Sequence, residues 1–211
     1  MKNTKQSILN TARELFNRLG YSQVTIRMIA LELGMSSGNL NYHFRKREDI
    51  LEALYFEMVA AFDNRIQDLD HQAISLEHMK VEIQNSVERM LEYQFFWTDL
   101  YNLLQINEKM KTHFQAVLEE RIKGYQFVFK QLIKQELLNA PSFPQEYLFL
   151  SQRMIDYSNT WLYASSLYEQ EKSGAELMEQ FSFNLLSMLY PYLTEEGKRI
   201  FENIYGAFLS L

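Results

Sequence analysis

Between Ser36 and Arg47 the chain reads SSGNLNYHFRKR, and nearly every residue in it can hydrogen-bond or carry positive charge. Asn39 and Asn41 bear carboxamides, which donate and accept at once and so match a base edge in a major groove. Ser36, Ser37 and Gly38 are small, which lets the backbone at a helix N-terminus approach a base or a phosphate. Tyr42, His43, Arg45, Lys46 and Arg47 supply hydroxyl, imidazole and cationic groups of the kind that hold phosphates and set register. The chemistry on offer is recognition of a polyanion rather than bond making. An ordinary solvated helix is the alternative reading of the same pattern.

A hydrolase or transferase would need a nucleophile with its base, a metal cluster or a phosphate-cradling loop. The seven glycines stand singly and there is no cysteine. His78 and Glu82, one helical turn apart, read as a solvated helix edge rather than as metal ligands. Arg153 and Asp156, three apart, read as a helix ion pair. No catalytic residue, cofactor or metal is expected, and the chain is read as a non-enzyme.

The elements that position the polar stretch follow from periodicity and caps. Ile8, Ala12, Leu15, Phe16 and Leu19 recur at helical spacing and stop at Gly20. Thr25 is placed to cap a second helix, with Val24 and Ile29 as its hydrophobic staple. Gly34 ends that helix, and Ser36 caps a third, stapled by Met35 and Leu40. Two stapled helices joined by Gly34–Ser36 make a helix-turn-helix. Thr25 and Arg27, at the start of the second helix, complete the candidate contact set. A longer helix begins near Arg47, with Leu51, Leu54, Met58 and Phe62 in line, and it is read as the link from head to body.

Three prolines among 211 residues and an abundance of Leu, Glu, Gln and Met predict an all-α protein. The expected division is a DNA-binding domain at residues 1–50 and a helical effector-binding and dimerisation domain at 51–211. Charge divides the same way. Residues 1–50 carry eight Lys/Arg against four Asp/Glu, a balance of +4, which leaves −10 for the rest of a chain of net charge −6. A basic head and an acidic body predict an anionic partner for the head alone. No apolar run suits a signal peptide or a membrane span, so a cytoplasmic protein with no membrane partner is expected.

Further helices are expected at about 75–92, 93–106, 110–139, 144–171, 174–190 and 195–209. The body is rich in rings. Tyr93, Phe96, Trp97, Tyr101, His113, Phe114, Arg121, Tyr125, Phe129, Met154, Tyr157 and Trp161 combine apolar wall with a few polar handles, the mixture found in ligand cavities, although plain core uses such stripes too. Leu148, Ser151, Ile155, Ser158, Leu162 and Ser165 alternate large and small along one helix, and Phe181, Leu185, Met188 and Leu189 follow on the next. These are read as the seam of a homodimer, with an intramolecular hairpin as the competing reading.

The N-terminal residues ILNTARELFNRLGYSQVTIRMIALELGMSSGNLNYHFRKREDIL resemble the DNA-binding domain of the TetR/AcrR transcriptional regulators. The helix ending LFNRLGY, the capping VT, the IALELGMS turn and the run from Gly38 through His43-Phe44 to Arg47-Glu48 coincide in order and spacing. The resemblance implies that Thr25 caps the second helix and touches phosphate. It implies that Ser37, Gly38, Asn39 and Asn41 lie at the groove, and that His43 and Arg47 contact phosphate. Asn41 stands where the family usually has tyrosine, and Lys46 where a capping Ser, Asn or Asp is common. The resulting expectation is a homodimeric repressor that binds a palindrome in double-stranded DNA and is released by a small apolar or aromatic effector. The alternatives are a DNA-binding regulator without a small-molecule ligand, and an all-helical interaction protein.

Overall fold

The structure is a computed structural model that describes residues 2–69, 74–168 and 172–209, with side chains at 4–62, 74–168 and 172–206. The described residues form α-helices and two short 3-10 turns, with no strand. They divide into two compact units, one of Met1–Asp70 with Glu92–His113 and one of His71–Leu91 with Phe114–Leu211.

In the first unit, α1 (Lys2–Leu19), α2 (Ile26–Glu32) and α3 (Ser37–His43) precede the long α4 (Arg47–Leu69). Ile8, Ala12 and Phe16 of α1 meet Ile29 and Ala30 of α2, Leu40 of α3, and Ile50, Leu51 and Leu54 of α4 in a dry core. These are the residues at helical spacing, and the core forms where the four apolar stripes face one another. All of α4, expected as the link between head and body, falls in this unit.

The α2–α3 turn closes by backbone bonds alone. The Met35 N–H reaches the Ala30 carbonyl at 2.9 Å and the Gly34 N–H the Leu31 carbonyl at 3.0 Å, a Schellman turn around a residue at φ 63°. Glycine takes that φ without the steric penalty of a Cβ.

The remaining helices of this unit are α6 (Gln94–Thr98) and α7 (Leu100–Ile106). The single helix expected over 93–106 is broken at Asp99, whose φ −131° and ψ 27° are not helical. The break has a packing consequence. Phe95, Phe96 and Trp97 are consecutive and all buried, whereas successive residues of a helix point about 100° apart.

The second unit contains most of α5 (Leu76–Glu92) and α8 (Glu108–Lys134), with α9 (Glu146–Tyr168), α10 (Gly174–Ser187) and α11 (Glu195–Leu209). Helix α8 stops short of the expected residue 139 through another Schellman turn, in which the Leu137 N–H bonds the Leu132 carbonyl at 2.9 Å around Glu136 at φ 58°. Leu138 then bridges to Leu193. A Cβ on Gly197 would stand 2.2 Å from the Leu137 carbonyl oxygen, so glycine is required for that approach. Arg153, expected to pair with Asp156, instead donates to the Tyr192 hydroxyl at 3.0 Å.

Most of the residues expected at a seam between two subunits are buried within the single chain. Ser151, Ile155, Ser158 and Leu162 on α9, and Phe181, Leu185 and Leu189 nearby in sequence on α10 and just after it, are buried inside the single chain, while Leu148, Ser165 and Met188 are half-buried. Helices α9 and α10 also meet within the chain, through Tyr157 and Trp161 against Phe181. The hydroxyls of Ser151 and Ser158 are satisfied by the carbonyls one turn back, Tyr147 and Met154, both at 2.7 Å. A different face of α9 is exposed, bearing Phe149, Tyr163 and Leu167.

Candidate nucleic-acid interface

Each helix of the helix-turn-helix starts on a side-chain cap. The Thr25 hydroxyl accepts from the Met28 N–H at 3.2 Å and the Ser36 hydroxyl from the Asn39 N–H at 3.1 Å. Helix α3 is anchored by Leu40, fully buried, and by Phe44 behind it. Its other face is left to solvent: Gly38, Asn39, Asn41 and Tyr42 are exposed, and Ser37 and His43 half-exposed. A polar, small-residue face on a rigidly seated short helix suits insertion into a groove. Gly38 carries further information. A Cβ there would meet nothing closer than the Ser36 hydroxyl at 3.9 Å, so the protein's own packing does not demand a residue that weakens a helix by about 1 kcal/mol.

Around α3, Thr25, Arg27, Ser36, Arg45 and Lys46 are exposed. The Tyr42 and His43 rings stand edge to face at 5.3 Å.

Arg47, expected at phosphate, is engaged within the head itself. Its Nη1 donates to the carbonyls of Val24 at 2.7 Å, Tyr21 at 2.9 Å and Ser22 at 3.3 Å. The guanidinium braces the 3-10 turn Tyr21–Gln23, adding a second donor to the Tyr21 carbonyl, which also accepts from the Val24 N–H. Tyr21 went unnoticed in the sequence as the platform for this contact.

The missing cap of α4 is supplied from inside the helix. The Lys46 N–H donates to the Asp49 carboxylate at 3.1 Å. The three-residue spacing of a capping box was the available signal.

The twelve residues expected at a ligand fall in both units. Tyr93, Phe96, Trp97, Tyr101 and His113 belong to the first unit and the other seven to the second. Tyr93 is a structural link: its hydroxyl donates to Glu57 at 2.8 Å and accepts from Arg13 at 3.2 Å. Burial first, then Glu57, pushes its pKa up to about 12. Tyr101 is 75% exposed. Phe96 and Trp97 are buried edge to face at 5.6 Å. His113 Nδ1 lies 2.9 Å from the Tyr55 hydroxyl.

In the second unit, Phe114 is half-buried and Met154 fully buried. Phe129 packs between Tyr125 at 6.0 Å and Tyr147 at 5.2 Å. Arg121 donates to Asn159 at 2.7 Å, and burial lowers its pKa. Tyr157 and Trp161 line a cleft of about 180 Å³ together with Phe181, Gln180 and Asn184 from α10. Tyr157 stacks on Phe181 with ring centroids 5.4 Å apart. The α10 residues of this cleft escaped the sequence reading because Phe181 was assigned to a subunit seam. Among the described residues no group of His, Asp and Glu has the makings of a metal site, and no helix is long and apolar enough to cross a membrane.

Residues 57–201 match the family described as bacterial transcriptional repressor TetR. Residues 8–54 match bacterial regulatory proteins of the tetR family. The chain belongs to the TetR family. Among its relatives, the HTH-type transcriptional regulator QacR of Staphylococcus aureus is 29% identical over 141 residues, which cover 61% of this chain and 70% of QacR. A TetR-family transcriptional regulator from Marinobacter aquaeolei has the same fold at a TM-score of 0.85 and 24% identity, over 95% of this chain and 97% of that one. A transcriptional regulator from Saccharomonospora viridis, solved in complex with choline, matches with a TM-score of 0.69 and 22% identity, over 92% of this chain and 100% of that one. As a TetR-family member the chain is a transcriptional regulator with an N-terminal helix-turn-helix, and not an enzyme.

Proposed function

We propose that this TetR regulator is a repressor, acting as a homodimer in the cytoplasm on a palindromic DNA operator and released by a small, largely apolar or aromatic effector. The observation that carries the DNA reading is the exposed face of α3, where Ser37, Gly38, Asn39 and Asn41 stand on a helix locked by Leu40 and the Ser36 cap. In this reading residues 1–50 are the DNA-binding domain and 51–211 the effector and dimerisation domain. Asn39 and Asn41 read base edges. Thr25, Arg27, Tyr42, His43 and Lys46 hold phosphates, and Arg47 positions the turn that presents them. Two such heads about 34 Å apart would meet successive major grooves on one side of the duplex.

Effector response is supported by the choline-bound structure of a protein with this fold and by the aromatic cleft of the second unit. Release requires that the effector bind the DNA-competent and DNA-incompetent states differently. A coupling of about 1–3 kcal/mol changes operator affinity about 5- to 150-fold.

An electrophoretic mobility shift with DNA from upstream of the protein's own gene tests the reading. The full chain should retard that DNA in preference to a scrambled duplex of equal length. Failure to retard any duplex at low salt would overturn it.

A further inference from the structure

The second unit half-buries a cation that no carboxylate of the described chain pairs with. Among the described residues Arg121 on α8 has one hydrogen-bond partner, the neutral carboxamide of Asn159 on α9, at 2.7 Å. Asp156, the acid that acts on it through space, is exposed and makes no ion pair with it. Arginine does not shed its proton in a protein, and a buried charge without a counter-charge is costly. Burial accordingly disfavours the charged form of Arg121. Tyr125, one turn along the same face of α8, is also half-buried, and burial raises its phenol pKa against the opposing effects of Arg121 and Ser158.

Both side chains nevertheless keep part of their surface accessible. The α8–α9 pair therefore presents a cation, a phenol and a carboxamide, each half-buried, all hydrogen-bonding groups able to meet an oxyanion. Elsewhere in the same unit Nη1 of Arg89 on α5 is buried without an acceptor among the described residues.

We infer that the effector of this regulator carries an oxyanion, a carboxylate or a sulfonate, which Arg121 receives on the α8–α9 pair beside Asn159 and Tyr125. The guanidinium fork matches such a group with two parallel hydrogen bonds, and the ligand brings the counter-charge that the chain withholds. The apo protein stays receptive because Asn159, at the position where an aspartate would form an ion pair, is neutral. This rests on the effector reading above and adds the sign of the charge to it.

The test uses the full-length protein without DNA and two fluorescent probes of one ring system, 8-anilinonaphthalene-1-sulfonate and the uncharged N-phenyl-1-naphthylamine. The wild type should prefer the sulfonate. Arg121→Gln should weaken the sulfonate about tenfold and leave the amine within about twofold, while Arg121→Lys should retain most of the preference. Asn159→Asp supplies Arg121 with an internal carboxylate, so it should weaken the sulfonate about as much and raise the thermal midpoint. Circular dichroism reports whether Arg121→Gln folds. If it does not, Asn159→Asp, which keeps Arg121 and the local shape, decides the outcome. Unchanged sulfonate affinity in the folded variants, or an equal loss of both probes, would overturn the inference. A wild type that binds both probes equally removes only the charge, whereas one that binds neither removes the effector reading as well.

Discussion

The guanidinium of Arg47 lies 4.1 Å from the centroid of the Tyr21 ring and donates to the Tyr21 carbonyl at 2.9 Å. One side chain at the first position of α4 thus fastens the connection between α1 and α2, twenty-six residues earlier. Tyr21 itself packs against Phe16 at 5.1 Å, so the clamp reaches the core of the head. Arg47→Ala removes a stacked cation and its carbonyl bonds, and should destabilise the chain by about 2–3 kcal/mol in urea unfolding. Arg47→Lys should restore little, because an ammonium reproduces neither the stacking nor the fork. If Arg47 acts by positioning, operator affinity in the folded Ala variant should fall with its salt dependence unchanged. A slope flatter by about 1 would return Arg47 to the phosphate.

Asn39 and Lys46 are both exposed but are assigned to different parts of the duplex. Asn39→Ala should cost about 1–3 kcal/mol on the operator and little on unrelated DNA, as loss of a base contact does. Lys46→Ala should weaken binding to all sequences alike and reduce the salt slope by about 1. Fluorescence anisotropy on matched and scrambled duplexes across a salt series separates the two. Identical behaviour of the variants would contradict the assignment.

Ile155 is fully buried within one chain. Ile155→Ala should therefore lower the stability of the subunit by about 2–5 kcal/mol without shifting the sedimentation coefficient of the folded protein. Tyr163, 52% exposed on another face of α9, behaves oppositely if that face joins the proposed homodimer: Tyr163→Glu should leave the subunit folded and favour the monomer.

Alkaline pH provides a test of the buried phenols. Tyr93, Tyr147 and Tyr205 each have a pKa pushed from 10.0 to about 12, with burial as the largest cause. The folded state thus holds the neutral phenol more tightly than the unfolded state. The associated stability is fully present below pH 10 and is lost as pH rises towards about 12. The thermal midpoint should fall across that interval, and less steeply in Tyr93→Phe, whatever its midpoint at neutral pH. An unchanged slope in that variant would show that Tyr93 does not take part.

Local order was legible where one stretch of chain decides it. Thr25 and Ser36 lie three residues before the N–H groups they cap, and Gly34 ends a helix because of its own φ. The polar face of α3 could be read in advance for the same reason: Leu40 and Phe44 fix which side is buried, and the rest follows from helical spacing. The stripe Ser151–Ile155–Ser158–Leu162 was legible only as a surface for close helix approach, since small residues at helical spacing are satisfied equally by α10 of the same chain or by a helix of another.

By itself, the sequence determined the helices, their caps, the helix-turn-helix and the polarity of its outer face, because these depend on neighbours within about four residues. Only the tertiary structure decided which carbonyls Arg47 holds, that Trp161 of α9 meets Phe181 of α10, and that Arg121 bonds Asn159 with no ion pair among the described residues. Each of those depends on a partner between 20 and 38 residues away along the chain. A long charged side chain reads the same whether it faces a phosphate, a backbone carbonyl or a carboxamide.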